Sequence, residues 1–593
     1  MTRKRVLVVA AMALAAAATA PAGAQPAASG NAARARLARA AAVPAQLTPA
    51  QRDAYQALFA DLEAQNWTGA LARLASLPEG PLHDAARARL YTASGSPRVE
   101  LEPLLALLNR SPELPQAADL ARLAQLRGAT ELPPYPQPQR LIGQRGQPRR
   151  ERPRATRGDA VAQQLEPLIQ PLIVDDQPSA AEAILAARTA ELSPEALTEF
   201  QQRIAWSYYL IGQDMEALRL AQQARQGPGD WAVLGEWVAG LAAWRLGDCA
   251  SASQSFQTVA RRSGDTELIA AGHYWASRAD LRCGRPERVQ HHLRAAAMQE
   301  ETFYGLLAES ALGVRRPPAG EVDALSAAEW ATIAGRPNVR AAVALTEIGQ
   351  ADLADAFLRH QARIGSPREH EALTHLAARL GLTGTQMYLA HNLPAGVRLG
   401  RHDRYPAPDL NPRTGWQVDQ ALAYAHALQE SGFRANAVSQ AGARGLMQVR
   451  PGTAGDLVRW GRASANPQRL NDPATNVEFG QAYMQYLRDQ SGTDALLPRV
   501  IAAYNAGPAP IAQWAAEGRG NGDPLLFIES IPYWETRGYV PIILRNYWMY
   551  EHRPADQSAS RRALVQGMWP RFPGAPGPSA VRLSPTGSVA GSN

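Results

Sequence analysis

Lysine is almost missing from this chain of 593 residues. Lys4 is the only one, although Lys and Arg together number 61. Beyond the N-terminus this excludes Schiff-base chemistry, a phosphate-binding P-loop lysine and a Ser–Lys dyad. Cysteine is limited to Cys249 and Cys283. Runs of β-branched residues are few and alanine is abundant, which favours helix over strand. There is no Gly-x-Ser-x-Gly elbow and no dinucleotide fingerprint. Long apolar runs are also lacking. The longest, Val6 to Ala18, falls short of the roughly 20 residues that a membrane-spanning helix needs.

That short run reads as an export signal. Arg3-Lys4-Arg5 precedes it, and Ala22-Gly23-Ala24 supplies a small-x-small cleavage site before Gln25. An exported chain with no membrane anchor is expected, with residues 1–24 removed and the mature protein in the periplasm. Charge is equally local. The net charge is +7, of which the N-terminus carries +3. The stretch from Arg140 to Arg157, with seven Arg and one Glu, carries +6. Everything else therefore sums to −2, so a nucleic-acid-binding face is not expected. A Pro- and Arg-rich linker can simply stay solvated.

Helix signals begin near Leu47. Thr48-Pro49 and Ser193-Pro194 each place an N-cap before a proline at the first helical position. Ser326 with Glu329 fits a capping box. Between 161 and 300 an aromatic-rich helix, a Gly turn and a second helix recur, with turns at Gly212, Gly247 and Gly284. That spacing is characteristic of helical-hairpin repeats. Trp206, Tyr208, Trp237, Trp244, Tyr274 and Trp275 then read as packing between hairpins. Cys249 and Cys283 flank turns of successive hairpins, which favours a disulfide over two buried thiols in an oxidising compartment. The expected layout is a loose tail (25–45), an N-terminal helical segment (46–130) and a Pro/Arg-rich linker (131–160). A helical-repeat region (161–300), a helical linker domain (301–400), a catalytic domain (401–553) and a disordered tail (554–593) follow.

The chemistry is concentrated downstream. The stretch from Ala421 reads as a helix that carries Glu430 in its last turn and stops at Gly432. A helix C-terminus disfavours negative charge, and Leu428 and Phe433 would strip water from it. Both effects push a carboxyl group toward the pKa of a general acid at neutral pH. Taken alone, Glu430 is better read as a surface residue at a frayed helix end. Gly442-Ala-Arg-Gly445-Leu-Met-Gln448 allows a tight turn. His370, Glu371 and His375 miss the i, i+4 zinc-protease spacing and read as helix-surface residues. No metal and no cofactor are expected.

In order, Glu430-Ser-Gly-Phe433, Gly442 to Gln448, Asn471-Asp-Pro473 with Asn476, Ala503-Tyr-Asn-Ala-Gly507 and Ile531 to Val540 resemble the soluble lytic transglycosylase family. Thr302 to Ala308 resembles the helical domain that precedes the family's catalytic one. The resemblance implies an all-α fold, a superhelical ring of helical hairpins followed by a goose-lysozyme-like catalytic domain. It implies peptidoglycan glycan strands as the partner, and cleavage of the β-1,4 bond between N-acetylmuramic acid and N-acetylglucosamine. Position by position, it makes Glu430 the catalytic acid and then base. Ser439 stands near the acid, Met447 and Gln448 line sugar subsites, Tyr504 is an active-site tyrosine, and Glu535 contributes to the groove. Arg450 and Trp534 depart from the family pattern. No Asp or Glu lies between Glu430 and Asp456, consistent with the family's single-acid mechanism, with Glu478, Glu529 and Glu535 as more distant candidates for a second carboxylate.

Overall fold

The computed structural model of the protein describes residues 43–144, 146–314, 325–551 and 558–584. The export signal and most of the 25–45 tail lie outside them. The described residues are all-α apart from two short antiparallel strand pairs. Among them no helix is long and apolar enough to cross a membrane.

The local signals mark helix starts as their chemistry requires. Thr48 and Gln51 form a reciprocal capping box, as do Ser326 and Glu329, and the Ser193 side chain accepts from the backbone N–H of Ala196. In the repeat region Pro194–Leu210, Asp214–Ala224, Gly229–Leu246, Cys249–Arg262, Thr266–Arg282 and Pro286–Ala297 pack each against the next. Gly212, Gly247 and Gly284 all take left-handed backbone at the turns, with φ between 69 and 84°. A side chain is disfavoured there, so glycine recurs with the hairpin period. Cys249 and Cys283 are disulfide-bonded, with Cα atoms 5.6 Å apart, and tie two hairpins together. Tyr208, Trp237, Tyr274 and Trp275 are buried between hairpins, whereas Trp206 and Trp244 are only partly covered.

Two cores cut across the expected boundaries. One runs from the repeat region into residues 405–583. It includes the helix Phe303–Ala311, whose Phe303 ring stacks on Trp548 at 5.3 Å. The other joins the N-terminal segment to residues 325–389. Arg52 pairs with Glu347 at 3.1 Å across it, and Asn338 donates to the Glu113 carbonyl at 2.7 Å. The expected 301–400 unit is therefore divided between two cores, because apolar helix faces found partners distant in sequence.

Two further expectations change. The 131–160 linker is extended but not simply solvated. Ile142–Gly143 pairs with Asn392–Leu393, and the Thr156 N–H donates to Glu199 at 2.6 Å. Arg150 makes a two-pronged ion pair with Glu529 at 2.6 and 3.1 Å, and Glu529 also accepts from the Tyr304 hydroxyl at 2.6 Å. Glu529 is 1% exposed, so this arginine neutralises a buried carboxylate. The tail is not disordered throughout. Residues 558–584 hold the helix Ala559–Val565 and the strand pair Trp569–Pro570 with Ala580–Val581. Trp569 is fully buried and donates to the Gly522 carbonyl at 2.7 Å.

Candidate active site

Glu430 lies in the last turn of Gln420–Ser431, which Asp419 caps at its start and Gly432 ends in left-handed backbone. This helix packs against Trp534–Glu551, and Leu497–Ala506 packs against that second helix. Together they set Tyr539 and Tyr504 beside the carboxyl, with His426 packed against both rings. The Tyr539 hydroxyl donates to Glu430 Oε1 at 2.5 Å. The rings of Tyr504 and Tyr539 lie 4.7 and 6.1 Å from that of His426, one helical turn before Glu430. The Nδ1–H of His426 donates to the Leu422 carbonyl at 2.9 Å. Burial lowers the pKa of His426 to about 4, so its ring is neutral and adds no counter-charge.

Burial raises the pKa of Glu430 from 4.5 to about 7. The Tyr539 hydrogen bond opposes that rise and the charge of Glu535 adds to it. A carboxyl poised there can both give and take a proton near neutrality. Tyr504 and Tyr539 are held far above the tyrosine range, first by burial and then by the charge of Glu430, so both stay protonated.

The other expected residues divide. Tyr504 is half-buried and its hydroxyl donates to the Met447 carbonyl at 2.8 Å. Met447 itself is fully buried, so its thioether has no surface to offer a sugar and only its carbonyl reaches the site. The Gln448 side-chain amide donates to the carbonyls of Ala437 and Gly445 at 3.1 and 2.9 Å, holding the turn that shapes the site. Ser439 is exposed, and its hydroxyl accepts from the Ala443 N–H at 3.0 Å within the same turn. Glu535 is exposed and accepts from Asn505 at 3.2 Å, while Asn505 accepts from Thr536 at 2.6 Å. Glu529 is committed to Arg150 and Tyr304, far from the role of a second catalytic carboxylate. Glu478 is buried in Pro473–Arg488.

Asn476 organises the turn from behind. Its Oδ1 accepts from the Met447 N–H at 2.7 Å, and its Nδ2 donates to the carbonyls of Arg444 and Leu470, both at 2.8 Å. Gly445 passes so close that a Cβ there would sit 2.3 Å from Asn476 Nδ2 and from the Leu470 oxygen. His426, Tyr539, Asn476 and Asn505 were not singled out from the sequence as site residues. The i, i+4 spacings of His426 with Glu430 and of Glu535 with Tyr539 were the available signals. No helix-surface histidines stand at 370 and 375: both are buried. His375 lies 2.8 Å from Glu329 and 3.1 Å from Asp403, through opposite ring nitrogens.

Residues 411–526 match the family model described as the transglycosylase SLT domain. The soluble lytic murein transglycosylase of Escherichia coli K12 is 38% identical over 171 residues, 28% of this chain and 26% of that protein. The Salmonella typhimurium protein of the same name is 38% identical over 147 residues, 24% of this chain and 22% of the relative. The chain thus aligns with only about a quarter of the length of these relatives. In fold it resembles the crystal structure of an inactive mutant of the lytic transglycosylase Slt from Pseudomonas aeruginosa. That likeness has a TM-score of 0.52 at 21% identity and covers 85% of this chain and 82% of that one. Among the described residues the fold is all-α, and the 411–526 segment, which holds Glu430, Met447 and Tyr504, is similar to the transglycosylase SLT domain.

Proposed function

We propose that this protein is a lytic transglycosylase that cleaves the β-1,4 bond between N-acetylmuramic acid and N-acetylglucosamine in peptidoglycan. The observation that carries this reading is Glu430, a half-buried carboxyl with a pKa near 7, held by Tyr539. The 38%-identical relatives bear the name of this activity over the segment that aligns. Protonated Glu430 gives its proton to the bridging oxygen, and the leaving N-acetylglucosamine departs as an alcohol. The substrate's own N-acetyl group steadies the positive anomeric carbon, so no enzyme nucleophile is required. Glu430, now a carboxylate, removes the proton of the muramic acid 6-hydroxyl as that oxygen bonds to the anomeric carbon. The product is a 1,6-anhydro sugar, no water is consumed, and Glu430 ends protonated as it began.

Glu430 is the catalytic group in this scheme. Tyr539 orients its carboxyl, Tyr504 and Gln448 hold the Met447 turn, and Glu535 stands at the groove with Asn505. Export to the periplasm would bring the enzyme to this substrate. The competing hydrolytic reading, a lysozyme-type muramidase, puts water in place of the 6-hydroxyl. Mass spectrometry of the fragments separates them, since the anhydro product is lighter by one water. Reducing-end muramic acid in every fragment would replace this scheme with hydrolysis. No loss of turbidity from a wall suspension would leave a wall-binding scaffold.

A further inference from the structure

An aromatic wall leads away from Glu430 along one side of the catalytic domain. Tyr504 meets Tyr483 edge-on at 5.3 Å. Tyr483 lies nearly parallel to Tyr486, with centroids 6.1 Å apart and planes 14° apart. Tyr486 in turn stacks on Trp460 at 4.9 Å and 24°. Tyr483 and Tyr486 stand three residues apart on Pro473–Arg488, so they share one face. Trp460 caps the C-terminus of Pro451–Arg459, where Gly461 in left-handed backbone ends the helix and holds the indole at the surface. Tyr483 and Tyr486 are half-buried, whereas Trp460 is 48% exposed, a large area for the biggest apolar side chain. Arg462 lies over the Tyr486 ring at 5.6 Å while paired with Asp489 at 3.0 Å, and Arg450 is exposed beside this wall.

We infer that Trp460 and Tyr486 form a distal sugar subsite, which grips a pyranose ring of the same glycan strand several residues from the bond cleaved at Glu430. The inference rests on the reading of the substrate as a peptidoglycan strand. Chemistry selects the occupant. A pyranose presents a flat face of C–H groups with hydroxyls at its rim, and a stacked aromatic shelf edged by tyrosine hydroxyls and guanidinium groups complements both. Continuity selects the strand, because the rings run without a break from Tyr504 to Trp460. A partner protein would need a broader apolar patch than one indole and its stacked neighbour. The consequence is that long strands are held more tightly than short fragments that end before Trp460.

The full chain and its Trp460→Ala and Trp460→Phe variants are compared on long purified glycan strands and on a tetrasaccharide muropeptide. For Trp460→Ala, KM on long strands should rise about tenfold more than on the tetrasaccharide, the scale of one lost aromatic anchor. Trp460→Phe should recover most of that difference. Equal changes on both substrates, or none on either, overturn the subsite. Binding of N-acetylglucosamine oligomers of increasing length, followed by tryptophan fluorescence in a Glu430→Gln background, gives a readout independent of turnover. There, affinity should climb with length only while Trp460 is present. A length dependence that survives Trp460→Ala also overturns it. Failure of the wild type to cleave strands that it still binds in this length-dependent way would remove the proposed reaction and leave the subsite standing.

Discussion

Replacing Glu430 by Gln tests catalysis and electrostatics in one variant. Gln keeps the shape and still accepts from Tyr539, but carries no proton to give. Turnover of peptidoglycan should fall by roughly 10²–10⁴-fold, the contribution of a positioned general acid–base. Stability should move the other way, with a sign set by proton linkage. The folded protein holds the Glu430 proton with a pKa of about 7, against 4.5 for the ordinary carboxyl. Between those values the folded state binds more protons than the unfolded one, so wild-type stability falls as pH rises from about 4.5 to about 7 and then levels off. At about 1.36 kcal/mol per pKa unit the loss is roughly 3 kcal/mol. Gln does not titrate and escapes it. Urea titrations of both proteins at pH 5 and pH 8 should show the variant gaining on the wild type at pH 8, by up to ~3 kcal/mol. The wild-type kcat/KM should fall about tenfold per pH unit above about 7. A stability gap that is the same at both pH values would refute the buried-acid argument. Near-wild-type turnover would refute the catalytic assignment.

Tyr539→Phe removes the hydrogen bond that holds the Glu430 pKa down. The basic limb of kcat/KM should therefore shift to higher pH, and an unmoved limb would mean that Tyr539 only packs. Gly445→Ala forces a Cβ to within 2.3 Å of an asparagine whose amide is fully committed and of a backbone oxygen, at φ +75°. A stability loss of about 2 kcal/mol or more is expected, read by thermal unfolding, with activity falling as the turn opens. The Cys249–Cys283 bond closes a separation of 34 residues. Its removal by the paired Cys249→Ser and Cys283→Ser changes should cost about 3–4 kcal/mol in the repeat region, seen as a lower unfolding midpoint. Thiol labelling of the untreated protein that matched the reduced sample would show the bond unformed.

Much of this protein was legible without coordinates because the signals involved are local. Thr48, Ser193 and Ser326 satisfy backbone N–H groups within three residues of themselves, so helix starts can be read directly. Gly212, Gly247 and Gly284 mark turns that only a residue without Cβ enters freely, which is why the hairpin period survives in the sequence. Glu430 was placed at a helix end by the same kind of signal, and ordered motifs tied it to a family. Contacts between distant segments carry no such periodic trace. The Pro/Arg-rich linker looks solvated in sequence because nothing local pairs Arg150 with Glu529, 379 residues away. The tail looked disordered because one buried Trp569 among Pro and Gly is a weak signal for a strand pair. The 301–400 stretch looked like one unit because helix periodicity says which face is apolar and not which helix covers it.

For the site itself the division is the same. The sequence by itself determined the place of Glu430 in the last turn of a helix and the glycine turn at 442–445. Only the tertiary structure decided the pKa of Glu430, because desolvation depends on what encloses a group and not on its neighbours along the chain. It also turned Met447 from a sugar-facing side chain into a buried one that acts through its carbonyl, supplied Tyr539 from 109 residues away, and aligned Tyr504, Tyr483, Tyr486 and Trp460 into one wall. Stacking of rings from different helices follows from how those helices cross, and crossing is a property of the packed fold alone.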